Sequence, residues 1–197
     1  MFYITNVKPD GYVHLSSSNQ WVRWLARNTP DAVHRDVRIR LNSNLKHLLV
    51  GMEMKVALIE GHEQARAEHS MMFEPYFQNF ISEFCVAAFS VLEGLGSAHW
   101  LAQNGLDGVD GPQIYRNQWQ PALIAVYDEN GDHGLNGNVE TTLAVRDKLH
   151  QDRLGAREDI DWHAFSYEEA FIPARRAIAT LLSRQPEFVP QTSNLPL

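Results

Sequence analysis

Hydrophobic residues recur along most of this chain at intervals of three and four, the spacing that places side chains on one face of an α-helix. From Asp31 the apolar positions Val33, Val37, Leu41, Leu45, Leu48 and Leu49 keep this rhythm, and it continues past Gly51 through Met52, Val56 and Ile59. The spacing predicts a long helix starting at Asp31, kinked or divided at Gly51 and Gly61. A second stripe, Phe77, Phe80, Ile81, Phe84, Ala88, Val91, Leu92 and Leu95, follows Phe73-Glu74-Pro75, where proline suits a first helical turn. It predicts the core helix, with its aromatic residues used for packing. Trp21, Trp24 and Leu25 share a shorter face that begins after the Ser16-Ser17-Ser18 cap and ends near Asn28, before Thr29-Pro30.

Other segments break the helical rhythm. Tyr3, Ile4, Val7, Tyr12, Val13 and Leu15 flank Pro9-Asp10-Gly11 and predict a short hairpin. Gly105 to Pro112 and Asp128 to Asn138 are rich in glycine, aspartate and asparagine and predict loops. Between them, Pro121 to Tyr127 is a short apolar run that fits strand or helix equally well. Two further helices are expected over 139–154 and 167–183, with Pro173 awkwardly inside the second. Pro186, Pro190 and Pro196 mark an extended or disordered tail. The sum is an all-α protein, a bundle of about five to six helices with a short N-terminal β-hairpin, forming a single domain over 1–184 and a tail over 185–197.

The 197 residues suffice for one domain with a full core, and 44% hydrophobic against 21% charged is the balance of a globular chain. A net charge of −7 argues against wrapping nucleic acid through bulk positive charge, but leaves room for a local basic site. Cys85 is the only cysteine, so no disulfide framework exists and a reducing, cytoplasmic location is expected, with Cys85 a small buried hydrophobe. The N-terminus lacks a basic lead. The apolar run from Phe80 to Leu95 is interrupted by Ser82, Glu83, Ser90 and Glu93, short of the roughly 20 residues of a membrane span. No membrane association is expected.

Candidate chemistry concentrates in Leu143-Ala144-Val145-Arg146-Asp147-Lys148-Leu149-His150-Gln151-Asp152-Arg153. Arg146 and His150 are four apart and share a helical face. A guanidinium can hold a phosphodiester oxygen and offset the charge that develops on cleavage. An imidazole can exchange the proton of a ribose 2′-hydroxyl near neutral pH. Asp147 would order the arginine, and Lys148 and Arg153 would add positive potential for substrate. The plainer reading of the same residues is a solvated helix end, where cations suit the C-terminal dipole.

This segment resembles the signature of the HEPN superfamily, helical-bundle proteins that include metal-independent ribonucleases of toxin–antitoxin and defence systems. Arg146-Asp147 corresponds to the family's arginine and following polar residue, Tyr167 to Ile178 to its returning helix, and Phe77 to Leu95 to its apolar second helix. Three residues separate Arg146 from His150, where the family has four to six. Arg157 and His163 have five between them, in a stretch with Gly155 and Asp159 to Asp161 that reads as loop. The resemblance implies Arg146, Asp147 and His150 as catalytic residues, RNA as substrate, no metal or cofactor, a homodimer, and an antitoxin-type protein partner. With the shortened spacing, an active enzyme and a binding-only member both remain open.

Two metal readings compete with plainer ones. Asp128, Asn130 and Asp132 alternate as in a calcium loop, but His133 stands where glycine is required and Val139 where a bidentate glutamate belongs, so a Gly/Asn/Asp turn is expected. Glu60, His62, Glu63, Glu68 and His69 could gather a zinc or iron ion, but lack the Glu-x-x-His spacing of di-iron bundles and read as a polar, solvated helix surface. His14, His34, His47 and His99 stand alone. There is no phosphate-cradling glycine loop or Gly-x-Ser-x-Gly elbow. The expectation is thus a HEPN-like endoribonuclease, with a non-catalytic helical interaction or dimerisation protein as the rival and a metal-binding bundle behind both.

Overall fold

The computed structural model describes residues 5–7, 13–14, 18–65, 74–148 and 162–185. The protein is an all-α helical bundle, with six α-helices among the described residues: α1 Ser18–Asn28, α2 Arg35–Ala65, α3 Glu74–Gln103, α4 Arg116–Tyr127, α5 Leu135–Asp147 and α6 Ile172–Ser183. Two short strands, β1 Thr5–Val7 and β2 Val13–His14, pair antiparallel as the expected hairpin, with Thr5 opposite His14. The hairpin's turn and the tail over 186–197 lie outside the described residues.

The central element is α3, which packs on α2, α4, α5 and α6. Its apolar residues are not confined to one stripe: Phe77, Ile81, Phe84, Cys85, Ala88, Phe89, Val91, Leu92 and Leu95 are all buried. A helix apolar on several sides must be surrounded, and the other helices supply that cover. Pro75–Gln103 is long and apolar enough to cross a membrane by length and composition, and more than half of its most apolar stretch is buried inside this bundle.

Gly94 and Gly96 set how closely the neighbours of α3 approach. A Cβ on Gly96 would stand 2.7 Å from the Trp119 carbonyl oxygen on α4, and one on Gly94 would stand 3.0 Å from the Leu45 side chain on α2.

Four sequence expectations are revised. The long helix α2 is neither divided nor ended at Gly51 or Gly61 but runs unbroken for 31 residues. Burial of Leu45, Leu49, Met52, Val56 and Ile59 outweighs the roughly 1 kcal/mol that a helical glycine costs. It begins at Arg35 and not Asp31, because Val33 N–H bonds the Pro30 carbonyl at 3.3 Å and His34 N–H the Asp107 carbonyl at 2.8 Å, holding a turn. The undecided run 121–127 is helical: α4 starts where the Gln118 side chain accepts from Tyr115 N–H at 2.8 Å, and Pro121 lies on its exposed side. The helix expected over 167–183 is continuous but not α-helical throughout: it begins as a π-helix over Tyr167–Phe171 and passes directly into α6, with Pro173 next to the junction.

Candidate functional site

The end of α5 carries the described part of the motif. Val145 is buried and anchors this turn in the core, while its neighbour Arg146 leaves the bundle surface one-third exposed. The Arg146 guanidinium lies 5.1 Å from the centre of the Phe89 ring on α3, and Nη1 donates to Asp147 Oδ1 at 2.9 Å. An aromatic face on one side and a carboxylate on the other restrict the arginine to a narrow set of positions. Phe89 is itself fixed edge-on against Trp119 at 5.7 Å, so α4 contributes indirectly to where the cation stands. Lys148 follows at the helix C-cap and is exposed. A guanidinium has five N–H donors, so the Asp147 bond leaves others for a phosphate oxygen.

The structure therefore brings together Arg146, Asp147 and Lys148. His150, Arg153 and Arg157 lie outside the described residues. His163 sits exposed in a 3₁₀ turn over Trp162–Ala164, where Trp162 leans on Phe165 at 5.3 Å. Phe89 was not legible as a site residue, because it sits in the core helix 57 positions before Arg146 and only the packing of α5 on α3 joins them.

The acidic segment near Glu60 is not the solvated surface that its composition predicts. Glu60 is buried, accepts from the Tyr167 hydroxyl on Oε2 at 2.7 Å, and is ion-paired through Oε1 with Arg175 of α6. Arg175 also lies 5.9 Å from the Phe171 ring centre. Burial, then the bond to Glu60 and its charge, push the Tyr167 phenol well above its usual range. Glu68, His69 and the His62 side chain lie outside what the structure describes, and among the described residues no three His, Cys, Asp or Glu side chains gather as a metal-ligand set.

Three other polar residues take structural partners. Asp128 ends α4 and accepts from the backbone N–H of His133 at 2.9 Å and of Leu135 at 2.8 Å. These bonds overcome the opposing effect of burial and hold its carboxyl below the ordinary range. They also start α5 at Leu135, four residues before the expected Val139. His99 packs against Tyr127, whose hydroxyl donates to Asn28 Oδ1 at 3.2 Å. Burial first, and the Arg184 charge second, push the His99 imidazole down to about 4. Cys85 is fully buried beneath the π-helix, Sγ 3.5 Å from the Ala170 carbonyl oxygen, and burial pushes its thiol up to about 12. A thiol so placed is inert at neutral pH.

An open cleft of about 560 Å³ runs between α4 and α5, lined by Arg116, Gln120, Ile124, Asn136 and Glu140 among others. The buried Gln120 donates from Nε2 to Asn136 Oδ1 at 2.9 Å and to Glu140 Oε1 at 2.7 Å, and Arg116 pairs with Glu140 at 3.1 Å. These polar links zip the two helices along one side. No family model, curated protein or solved structure matches this chain.

Proposed function

We propose that this protein is a HEPN-like endoribonuclease that cleaves RNA without a metal, in a toxin–antitoxin or defence setting. The position of Arg146 is the observation that supports it: a permanently charged group, seated on Phe89 and Asp147 at the end of a packed helix, one-third open to solvent. Catalysis of phosphoryl transfer is largely positioning and charge stabilisation, which such a preorganised cation supplies. In this reading Arg146 holds a non-bridging phosphate oxygen and Asp147 orients it. His150 takes the proton from the ribose 2′-hydroxyl as the 2′-oxygen attacks phosphorus. The P–O5′ bond breaks, and the proton passes to the leaving 5′-oxygen. Lys148 and Arg153 attract the RNA backbone. The resemblance further implies a homodimer and an antitoxin-type protein partner.

The bond between Arg146 and Asp147 also favours a second reading, a non-catalytic helical interaction protein, because the carboxylate already offsets the charge that a phosphate would need. Purified protein incubated with RNA and chelator, beside an Arg146→Ala/His150→Ala double variant, separates the two. Cleavage by the wild type alone supports the ribonuclease. Equal inertness of both on varied RNA sinks it and leaves the interaction reading, and equal activity of both removes the chemistry from α5.

A further inference from the structure

Charge is segregated along this chain. Residues 18–50, which form α1 and the first half of α2, hold six Arg and Lys against two Asp, whereas the remaining residues hold eleven against twenty-two Asp and Glu. A protein with a net charge of −7 thus carries one segment of the opposite sign. The two helices are neighbours, tied by the bond from Thr29 Oγ1 to Asn42 Oδ1 at 2.6 Å. Burial of Trp21, Trp24, Leu25, Leu45 and Leu49 turns their polar faces outward. Arg23 and Arg27 lie exposed one turn apart on α1. Along the first half of α2 the exposed positions are Arg35, Asp36, Ile39, Arg40, Ser43, Asn44 and His47, so one carboxylate stands among the cations. Arg38 is ion-paired with Asp31, while Arg23, Arg35 and Arg40 engage in no ion pair among the described residues.

We propose that this exposed basic face of α1 and the N-terminal half of α2 is a nucleic-acid-binding surface that contacts the phosphate backbone of RNA. It lies apart from the Arg146 end of α5 and does not depend on the ribonuclease reading. Five of its six cations are arginine, whose planar fork matches phosphate oxygens in pairs. From Arg35 to His47 the helix rises about 18 Å, long enough to meet several successive phosphates of one strand. Ser43, Asn44 and His47 offer hydrogen-bonding groups between and beyond the arginines. A membrane surface fits less well. A helix lying on a bilayer needs a broad apolar face turned outward, and α1 and α2 have buried theirs in the core, leaving Val22 and Ile39 as the exposed large hydrophobic residues of this face. The acidic remainder of the molecule repels the polyanion and thereby orients it on this face.

The test is fluorescence anisotropy of a short labelled single-stranded RNA, titrated with wild-type protein over a series of salt concentrations. Beside it run Arg23→Gln/Arg35→Gln/Arg40→Gln and a control of equal charge change, Lys55→Gln/Arg116→Gln/Arg176→Gln, each checked for folding by circular dichroism. The expected result is wild-type binding that weakens with salt. In the first variant the affinity falls about tenfold or more and the log–log salt slope becomes shallower by about two, with little change in the control. Wild-type RNA binding too weak to detect at low salt, equal losses in both variants, or equal competition by poly-glutamate would overturn the proposal. So would sedimentation with phosphatidylserine vesicles in place of RNA binding. Cleavage is not the readout: a failed ribonuclease reading leaves RNA uncut but still bound through Arg23, Arg35 and Arg40, whereas a failed binding face leaves the affinity of that triple variant unchanged, so the two failures give different results.

Discussion

Arg175 on α6 is bonded to Glu60 on α2, 115 residues earlier in the chain, and the Tyr167 hydroxyl occupies the other oxygen of the same carboxylate at 2.7 Å. This polar lock fastens α6 to α2 at a place where both side chains are nearly removed from water. Its members are therefore costly to break singly. Glu60→Gln should destabilise the fold by about 1.5–3 kcal/mol, since it removes the charge from the carboxylate that bonds both Arg175 and the Tyr167 hydroxyl. Tyr167→Phe should cost about 1.5–3 kcal/mol, the range for a hydrogen bond to a charged group. Urea unfolding measures both. A Glu60→Gln/Arg175→Met double variant less destabilised than the sum of its singles would establish the coupling, and simple additivity would refute it.

Two helical glycines should respond in opposite directions to the same substitution. Gly96→Ala places a methyl group 2.7 Å from the Trp119 carbonyl oxygen, a backbone atom that moves only if α4 moves, and should destabilise by about 1–3 kcal/mol. Nothing lies within 4 Å of a Cβ at Gly51, so Gly51→Ala should gain up to about 1 kcal/mol of helix propensity. Thermal melts of the two variants decide it. A neutral Gly96→Ala would mean that α3 and α4 are less tightly apposed than the structure places them.

His99 gives the fold a pH dependence of definite sign. Burial, then the Arg184 charge, lower its imidazole from 6.5 to about 4, so between these values the unfolded chain takes up a proton that the folded chain refuses. Its contribution to stability is complete above pH 6.5 and is lost as pH falls toward 4. The urea midpoint should drop across this window more steeply in the wild type than in His99→Gln. Parallel slopes would show that His99 is solvated or protonated in the fold.

The architecture was legible because it rests on periodicity. The stripes from Trp21 to Leu25, Val37 to Ile59 and Phe77 to Leu95 each became a helix with those residues turned into the core. What escaped was whatever depends on partners distant in sequence. Nothing near Glu60 announces Arg175, so an acidic helical segment reads as solvated until α6 is laid against it. Asp128 reads as loop or metal ligand until its carboxylate is seen starting α5 through His133 and Leu135. Pro173 reads as awkward inside a helix, because the π-helix ahead of it leaves no periodic mark. Of the candidate site, the pairing of Arg146 with Asp147 follows from adjacency, whereas the Phe89 ring beneath it is a product of packing alone.

That ring leads to the last prediction. If Phe89 holds Arg146 through its π face, Phe89→Leu and Arg146→Met should be coupled in a double-mutant cycle by about 0.5–2 kcal/mol, the range for such contacts from exposed to desolvated sites. Phe89→Leu alone should also cost about 1 kcal/mol through lost contact with Trp119, which the cycle subtracts because that loss is common to both backgrounds. The coupling also bears on function. A surface arginine free to sample many rotamers loses entropy when it grips a phosphate, whereas one already seated on a ring and a carboxylate loses less. Coupling near zero would mean that Arg146 wanders over the surface, and the end of α5 would then lack the preorganised cation on which phosphate chemistry there depends.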